Sequence, residues 1–137
     1  MGLLKQIFFL LMLSSTLLGN AQEHPETIVQ ANLDAYNAND LEKFLSFFSE
    51  NVQLVNFQDN VITANGIDAI RAIYEPYFKA SPKLHSKILK RTVFDNKVID
   101  HEYITGAWGN KPPFELVLIY EVAHDKIIKM TAIRKRK

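Results

Sequence analysis

The chain has no cysteine among its 137 residues. That absence excludes disulfide stapling, thiolate nucleophiles, Cys-based zinc sites and a lipid-bearing N-terminal cysteine. Charge of one sign is lacking too, since 16 Lys and Arg stand against 15 Asp and Glu, a formal net charge of +1. No whole-molecule field therefore draws the protein to nucleic acid or to an anionic membrane. The terminal Arg134-Lys135-Arg136-Lys137 is basic, but a short charged tail is normally solvated. Glycine and proline number five each, and no linker, repeat or low-complexity stretch occurs. Gly-rich phosphate loops, Gly-x-Ser-x-Gly elbows and familiar metal-ligand spacings are all missing, so neither cofactor nor metal is expected.

Long apolar runs are equally scarce, with one at the start. Lys5 precedes the run Ile7 to Leu18, which ends in Gly19-Asn20-Ala21. This is the three-part pattern of a secretory signal peptide over residues 1–21, with cleavage after Ala21. The run is shorter than the ~20 residues that span a bilayer, which argues against an anchor. A cysteine-free exported chain suits the bacterial periplasm or secretion, with no membrane attachment after cleavage. Losing Lys5 leaves 15 basic and 15 acidic side chains, and residues 22–137 make a single domain's length.

Helical periodicity fills the first half. Val29, Leu33 and Tyr36 share a face of a helix over 25–39, and Asp40 caps a shorter helix with the stripe Leu41, Phe44, Leu45, Phe48. A third helix is expected to start at an Asn65-Gly66 cap, carry Ile70, Ile73, Tyr74, Tyr77 and Phe78, and bend at Pro76. Short strands are expected over 52–57 and 61–64. After Pro82 the period becomes two, giving strands over 84–94, 97–107, 114–123 and 127–133 separated by turn signals. Helices first and consecutive hairpins later define an α+β fold, a meandering antiparallel sheet covered on one face by helices.

The fourth strand holds the chemistry. Asp100, His101 and Glu102 interrupt residues that favour β-structure. If Asp95-Asn96 is a two-residue hairpin loop, Arg91 faces Asp100 and Leu89 faces Glu102. Alternation then puts His85, Leu89, Arg91, Val98, Asp100, Glu102 and Ile104 on one side, and Ile99, His101 and Tyr103 on the other. Both sets are mixed, so periodicity leaves open which side is concave. An exposed Arg91–Asp100 pair would matter little, whereas a buried one would bind the two residues together.

The segments Leu33-Asp-Ala-Tyr-Asn-Ala-Asn-Asp-Leu41, Phe47-Phe-Ser-Glu-Asn-Val52 and Asn65-Gly-Ile-Asp-Ala-Ile-Arg71 resemble the nuclear transport factor 2-like superfamily, in its SnoaL-like branch, which also holds ketosteroid isomerase. Ala80 to His85, Val98 to Glu102 and Ile119 to Val122 are similar to a small bacterial subgroup of it. The resemblance covers residues 22–137. It implies a cone, a strongly curved antiparallel sheet wrapped around three N-terminal helices, open at one end to an apolar pocket. It also implies a homodimer through the outer sheet face, which fits the aliphatics on both faces of the strand Phe114 to Ala123.

Members of this superfamily include isomerases, cyclases, hydratases and binding modules without chemistry, so fold alone does not decide function. Ketosteroid isomerase uses a carboxylate base with a Tyr and a protonated Asp as oxyanion hole. Ungapped placement puts its Tyr on Asn32, its base on Asn56 and its protonated Asp near Leu118, so that mechanism is not expected here. The resemblance favours the Asp100 and Glu102 face as inward. Asp100, Glu102 and His85 are then the acid–base candidates, with Arg91 as electrostatic partner. Tyr36, Phe57, Tyr74, Phe78, Leu118, Tyr120 and Met130 are expected to line a pocket for a small apolar organic molecule. The alternative is a dimeric binding or interaction module without catalysis, in which the charge cluster is structural.

Overall fold

The computed structural model describes residues 23–109 and 111–136, so the expected signal peptide lies outside the described residues. Pro25, whose missing N–H costs nothing at the first helical position, opens α1 (Pro25–Asn37). Ile28, Val29, Asn32, Leu33, Ala35 and Tyr36 form its buried face. The Asp40 side chain accepts the Lys43 N–H at 3.1 Å and so caps α2 (Leu41–Ser46). Helix α3 (Ile67–Ala80) is capped by Gly66 at φ 89° with no side-chain bond, rather than by Asn65, which belongs to a strand.

The strands are β1 (Phe48–Asn56), β2 (Ile62–Asn65), β3 (His85–Phe94), β4 (Lys97–Thr105), β5 (Phe114–Ala123) and β6 (Lys126–Arg134). They form one curved, unclosed sheet in the order β2-β1-β6-β5-β4-β3. Neighbours run antiparallel except β1 and β6, which are parallel, so the chain's first long strand closes onto its last. All three helices pack on the concave face, α1 along β3 to β6 and α3 against β1 and β2. Between them and the sheet lies the core, built on Val29, Val52, Ile70, Val98, Ile127 and Met130.

Asp95 and Asn96 do make the two-residue connection, and Phe94 pairs with Lys97 and Arg91 with Asp100. Along β4 the buried positions are Val98, Asp100, Glu102 and Ile104, while Tyr103 is exposed and Ile99 and His101 are half-buried. The Asp–His–Glu run is therefore split between faces, with both acids inward. His101 turns outward and meets Glu115 at 2.9 Å.

One expectation of register fails. A β-bulge between Ile88 and Lys90 makes Ile88, not Leu89, the partner of Glu102. The extra residue reverses alternation upstream of it, so His85 and Leu89 face out and Ser86 faces in.

Buried charge on β4 is matched from β3. Arg91 donates from Nε and Nη2 to the two Asp100 carboxylate oxygens, each at 2.7 Å, and from Nη1 to Gln30 Oε1 at 2.7 Å. The Asp100 side chain is 1% exposed and that of Arg91 13%. Bidentate geometry in a nearly dry setting is where a charge pair is most costly to break from one side. Arg91→Ala is expected to lower stability by about 3–5 kcal/mol in chemical denaturation. A loss within roughly half a kcal/mol would show that water, not Arg91, solvates Asp100.

Candidate functional site

A cavity of about 310 Å³ opens between the helices and the concave face of the sheet. Its walls come from Asn32, Leu33 and Tyr36 on α1, Phe44 on α2, and Ile73, Tyr74 and Tyr77 on α3. The sheet adds Leu54, Glu102, Ile104, Phe114, Leu116, Leu118, Tyr120, Met130, Ala132 and Arg134, and the β4–β5 loop adds Trp108. Among the described residues Glu102 is the only carboxylate in this lining.

Local chain geometry explains several placements. Tyr36, Phe44, Tyr74, Tyr77 and Phe78 share one aromatic cluster, with Tyr36 edge-on to Phe78 at 5.6 Å. Gly106, at φ 71°, passes so close to the backbone of Lys83 that a Cβ would lie 2.1 Å from its carbonyl oxygen. That approach brings Trp108 N–H within 2.7 Å of the buried Ser81 Oγ, which accepts its hydrogen bond. Trp108 is held at φ 51°, a conformation bulky residues rarely adopt, and its ring meets Tyr77 at 5.3 Å.

Glu102 is 3% exposed and sits at the polar focus of the cavity. Ser86 Oγ donates to its Oε2 at 2.7 Å, and Tyr120 OH donates to its Oε1 at 3.3 Å. Ser86 is itself fixed by the Asn37 amide at the end of α1. Its N–H donates to Asn37 Oδ1 at 2.7 Å and its carbonyl accepts from Asn37 Nδ2 at 3.0 Å. Burial is the largest influence on Glu102 and raises its pKa to about 7, with Asp100 adding to the rise. The bonds from Ser86 and Tyr120 and the charge of Arg91 pull the other way without cancelling it.

The tyrosines stay neutral hydrogen-bond donors, because burial pushes the hydroxyls of Tyr36, Tyr74 and Tyr120 well upward. Tyr36 and Tyr77 hydroxyls lie 2.9 Å apart, and either can donate to the other. One proton serves that bond, which leaves the second for a ligand oxygen.

The predicted residues divide as follows. Glu102, Tyr36, Tyr74, Leu118, Tyr120 and Met130 meet in the cavity wall. Phe57 does not, because it follows the last residue of β1 and is 52% exposed. Phe78 is spent in the aromatic core and lies outside the cavity lining. Asp100 and Arg91 form the buried pair beside the cavity, and Arg91 instead floors a shallow outer depression with Glu26 and Gln30. His85 is exposed on the far side of the bulged strand, away from Glu102.

Ser86 and Asn37 escaped the sequence reading because an unmarked bulge hides the inward turn of Ser86. Trp108, on the β4–β5 loop, also lines the cavity. Asn32 and Leu118 line it too, whereas Asn56 bonds Asp59 at 2.8 Å outside it.

A carboxyl that is protonated more readily folded than unfolded stabilises the protein below its unfolded pKa. That contribution is lost as pH rises through the folded value. For Glu102 the window runs from near 4.5 to about 7. The wild type is expected to lose up to about 3 kcal/mol relative to Glu102→Gln between pH 4.5 and 8. Denaturation of both proteins across this range measures it, and parallel profiles would contradict it.

Comparison with known proteins places this geometry. The chain has 23% identity and a TM-score of 0.73 to an uncharacterized cystatin-fold protein from Novosphingobium aromaticivorans, covering 82% of this chain and 99% of that one. A putative ketosteroid isomerase from Kribbella flavida matches with a TM-score of 0.70 at 12% identity over 82% of this chain and 78% of its own. A putative polyketide cyclase from Sinorhizobium meliloti matches with a TM-score of 0.66 at 17% identity over 81% and 100%. At such identities these structures share the fold. No curated protein matches the sequence. The SnoaL-like domain pattern matches residues 29–130, and the chain belongs to the SnoaL-like domain family.

Proposed function

We propose that the cavity binds a small organic molecule with an apolar body and that Glu102 moves a proton on it. The observation that supports this reading is a lone buried carboxyl, with pKa raised to about 7, in a wall that is aromatic and aliphatic apart from Asn32 and the rim guanidinium of Arg134. A group poised near neutrality holds a proton in one half of the population and accepts one in the other, as general acid–base catalysis requires. The carboxylate takes a proton from carbon beside a carbonyl, and the resulting acid returns it to the same or a neighbouring position. The Tyr36–Tyr77 pair is the neutral donor for the ligand oxygen during that transfer. Isomerase, cyclase and hydratase chemistry all contain such a step, and the neighbours named putative ketosteroid isomerase and polyketide cyclase make it a reasonable class.

The simplest probe is 2-tetralone, whose α-protons exchange with D2O at a rate read by NMR. The wild type is expected to accelerate exchange beyond buffer, and Glu102→Gln to lose roughly 100-fold of that acceleration. Bound probe with no acceleration would contradict proton transfer and leave a non-catalytic binding module.

Export and self-association belong to the same reading. We propose that residues 1–21 are removed, that the mature protein is periplasmic or secreted, and that two copies pair through the outer sheet face. Val117, Ile119 and Ile133 are half-buried there although, among the described residues, no helix covers that face. Native mass spectrometry of protein released by its producing cells is expected to show a dimer of chains beginning at Gln22. A monomer at micromolar concentration, or a mass retaining residues 1–21, would overturn the corresponding part.

A further inference from the structure

Glu102 pairs with Leu116, and Leu116 pairs with Arg134. Residues directly opposite one another in neighbouring strands project from the same face. Glu102, Leu116 and Arg134 therefore form one row across β4, β5 and β6, and all three line the cavity. Two strand spacings separate the outer members, roughly 10 Å between backbones, with an apolar side chain between them. Glu102 lies at the buried end, whereas Arg134 is exposed and also borders a hollow outside the mouth with Phe114 and Lys135.

The two ends differ in charge as well as in depth. Among the described residues the Arg134 guanidinium makes no ion pair, although its neighbour Lys135 is held by Glu115 at 3.2 Å. The Arg134 charge does act on the buried Tyr74 hydroxyl, whose pKa it tends to lower, so its influence reaches into the cavity. Lys111 adds a second cation at the rim, with Nζ 5.6 Å from the centre of the Trp108 ring. An unpaired guanidinium at the rim of an apolar cleft offers planar, forked donors that match a carboxylate.

We propose that the ligand is a small organic carboxylate whose acid group pairs with Arg134 at the mouth. Its apolar body lies along Leu116 and the aromatic wall, and its oxygen-bearing end reaches Glu102. A cationic amine is disfavoured by the same rim. This assignment rests on the proposed ligand-binding role of the cavity and names the class of molecule it takes.

Trp108, the single tryptophan of the chain, stands in the cavity wall and reports binding by its fluorescence. The probes are 4-phenylbutanoate, its methyl ester and 4-phenylbutylamine, titrated into the wild type, Arg134→Gln, Arg134→Lys and, as a neighbouring-charge control outside the cavity lining, Lys135→Gln. The acid is expected to bind at least about tenfold tighter than the ester, a margin that shrinks as salt is raised. Arg134→Gln should bring that ratio to within about twofold, Arg134→Lys should restore part of it, and Lys135→Gln should keep it.

An ester that binds as well as the acid, an amine that binds best, or a preference that survives Arg134→Gln would each overturn the assignment. Binding of 2-tetralone in that event would leave the proposed function standing. If neither 2-tetralone nor any of the three probes bound, both would fall.

Discussion

Everything in this molecule follows from β4 sending two carboxylates into a dry interior. A buried carboxylate needs a cation or a proton, and the fold supplies one of each. Arg91, fixed opposite by the hairpin register, takes both oxygens of Asp100. Glu102, two residues along the same face, receives among the described residues only the neutral donors Ser86 and Tyr120. Without a guanidinium of its own it answers burial by holding its proton more tightly. One acid thus serves the structure, and the other remains available for chemistry.

The helices make this division possible. Helix α1 lies over β3 to β6 and contributes Gln30 to Arg91, Asn37 to Ser86 and Tyr36 to the cavity. The same helix therefore closes the ion pair on one side and orients the donor to Glu102 on the other. Aromatic side chains of α2 and α3, Phe44, Tyr74 and Tyr77, supply much of the remaining wall. Losing the α1 cover would hydrate both acids at once.

Much of this was legible in the sequence. Length, the switch from helical to alternating periodicity and the turn residues specify the α+β order, and the Asp95-Asn96 turn correctly sets Arg91 against Asp100. Several features were not. The bulge at Leu89 carries no Gly or Pro to announce it, and it exchanges His85 for Ser86 on the inner face. The parallel pairing of β1 with β6, and the path of the loop that aims Trp108 inward, depend on long-range packing that no local pattern encodes. Aromatic periodicity marks Phe78 and Tyr36 alike, and only packing separates core from cavity wall. Phe57 shows the same limit at a strand end, where one residue decides between inside and outside.

The most direct test of this account is the titration of Glu102 itself. With the glutamate side-chain carbons labelled, NMR resolves each carboxyl, and Glu102→Gln identifies the resonance by its loss. The account predicts a midpoint near 7, well above the ordinary 4.5. A Glu102 that titrates with the exposed glutamates would mean a wet, fully ionised carboxylate and would contradict the acid–base role proposed for it.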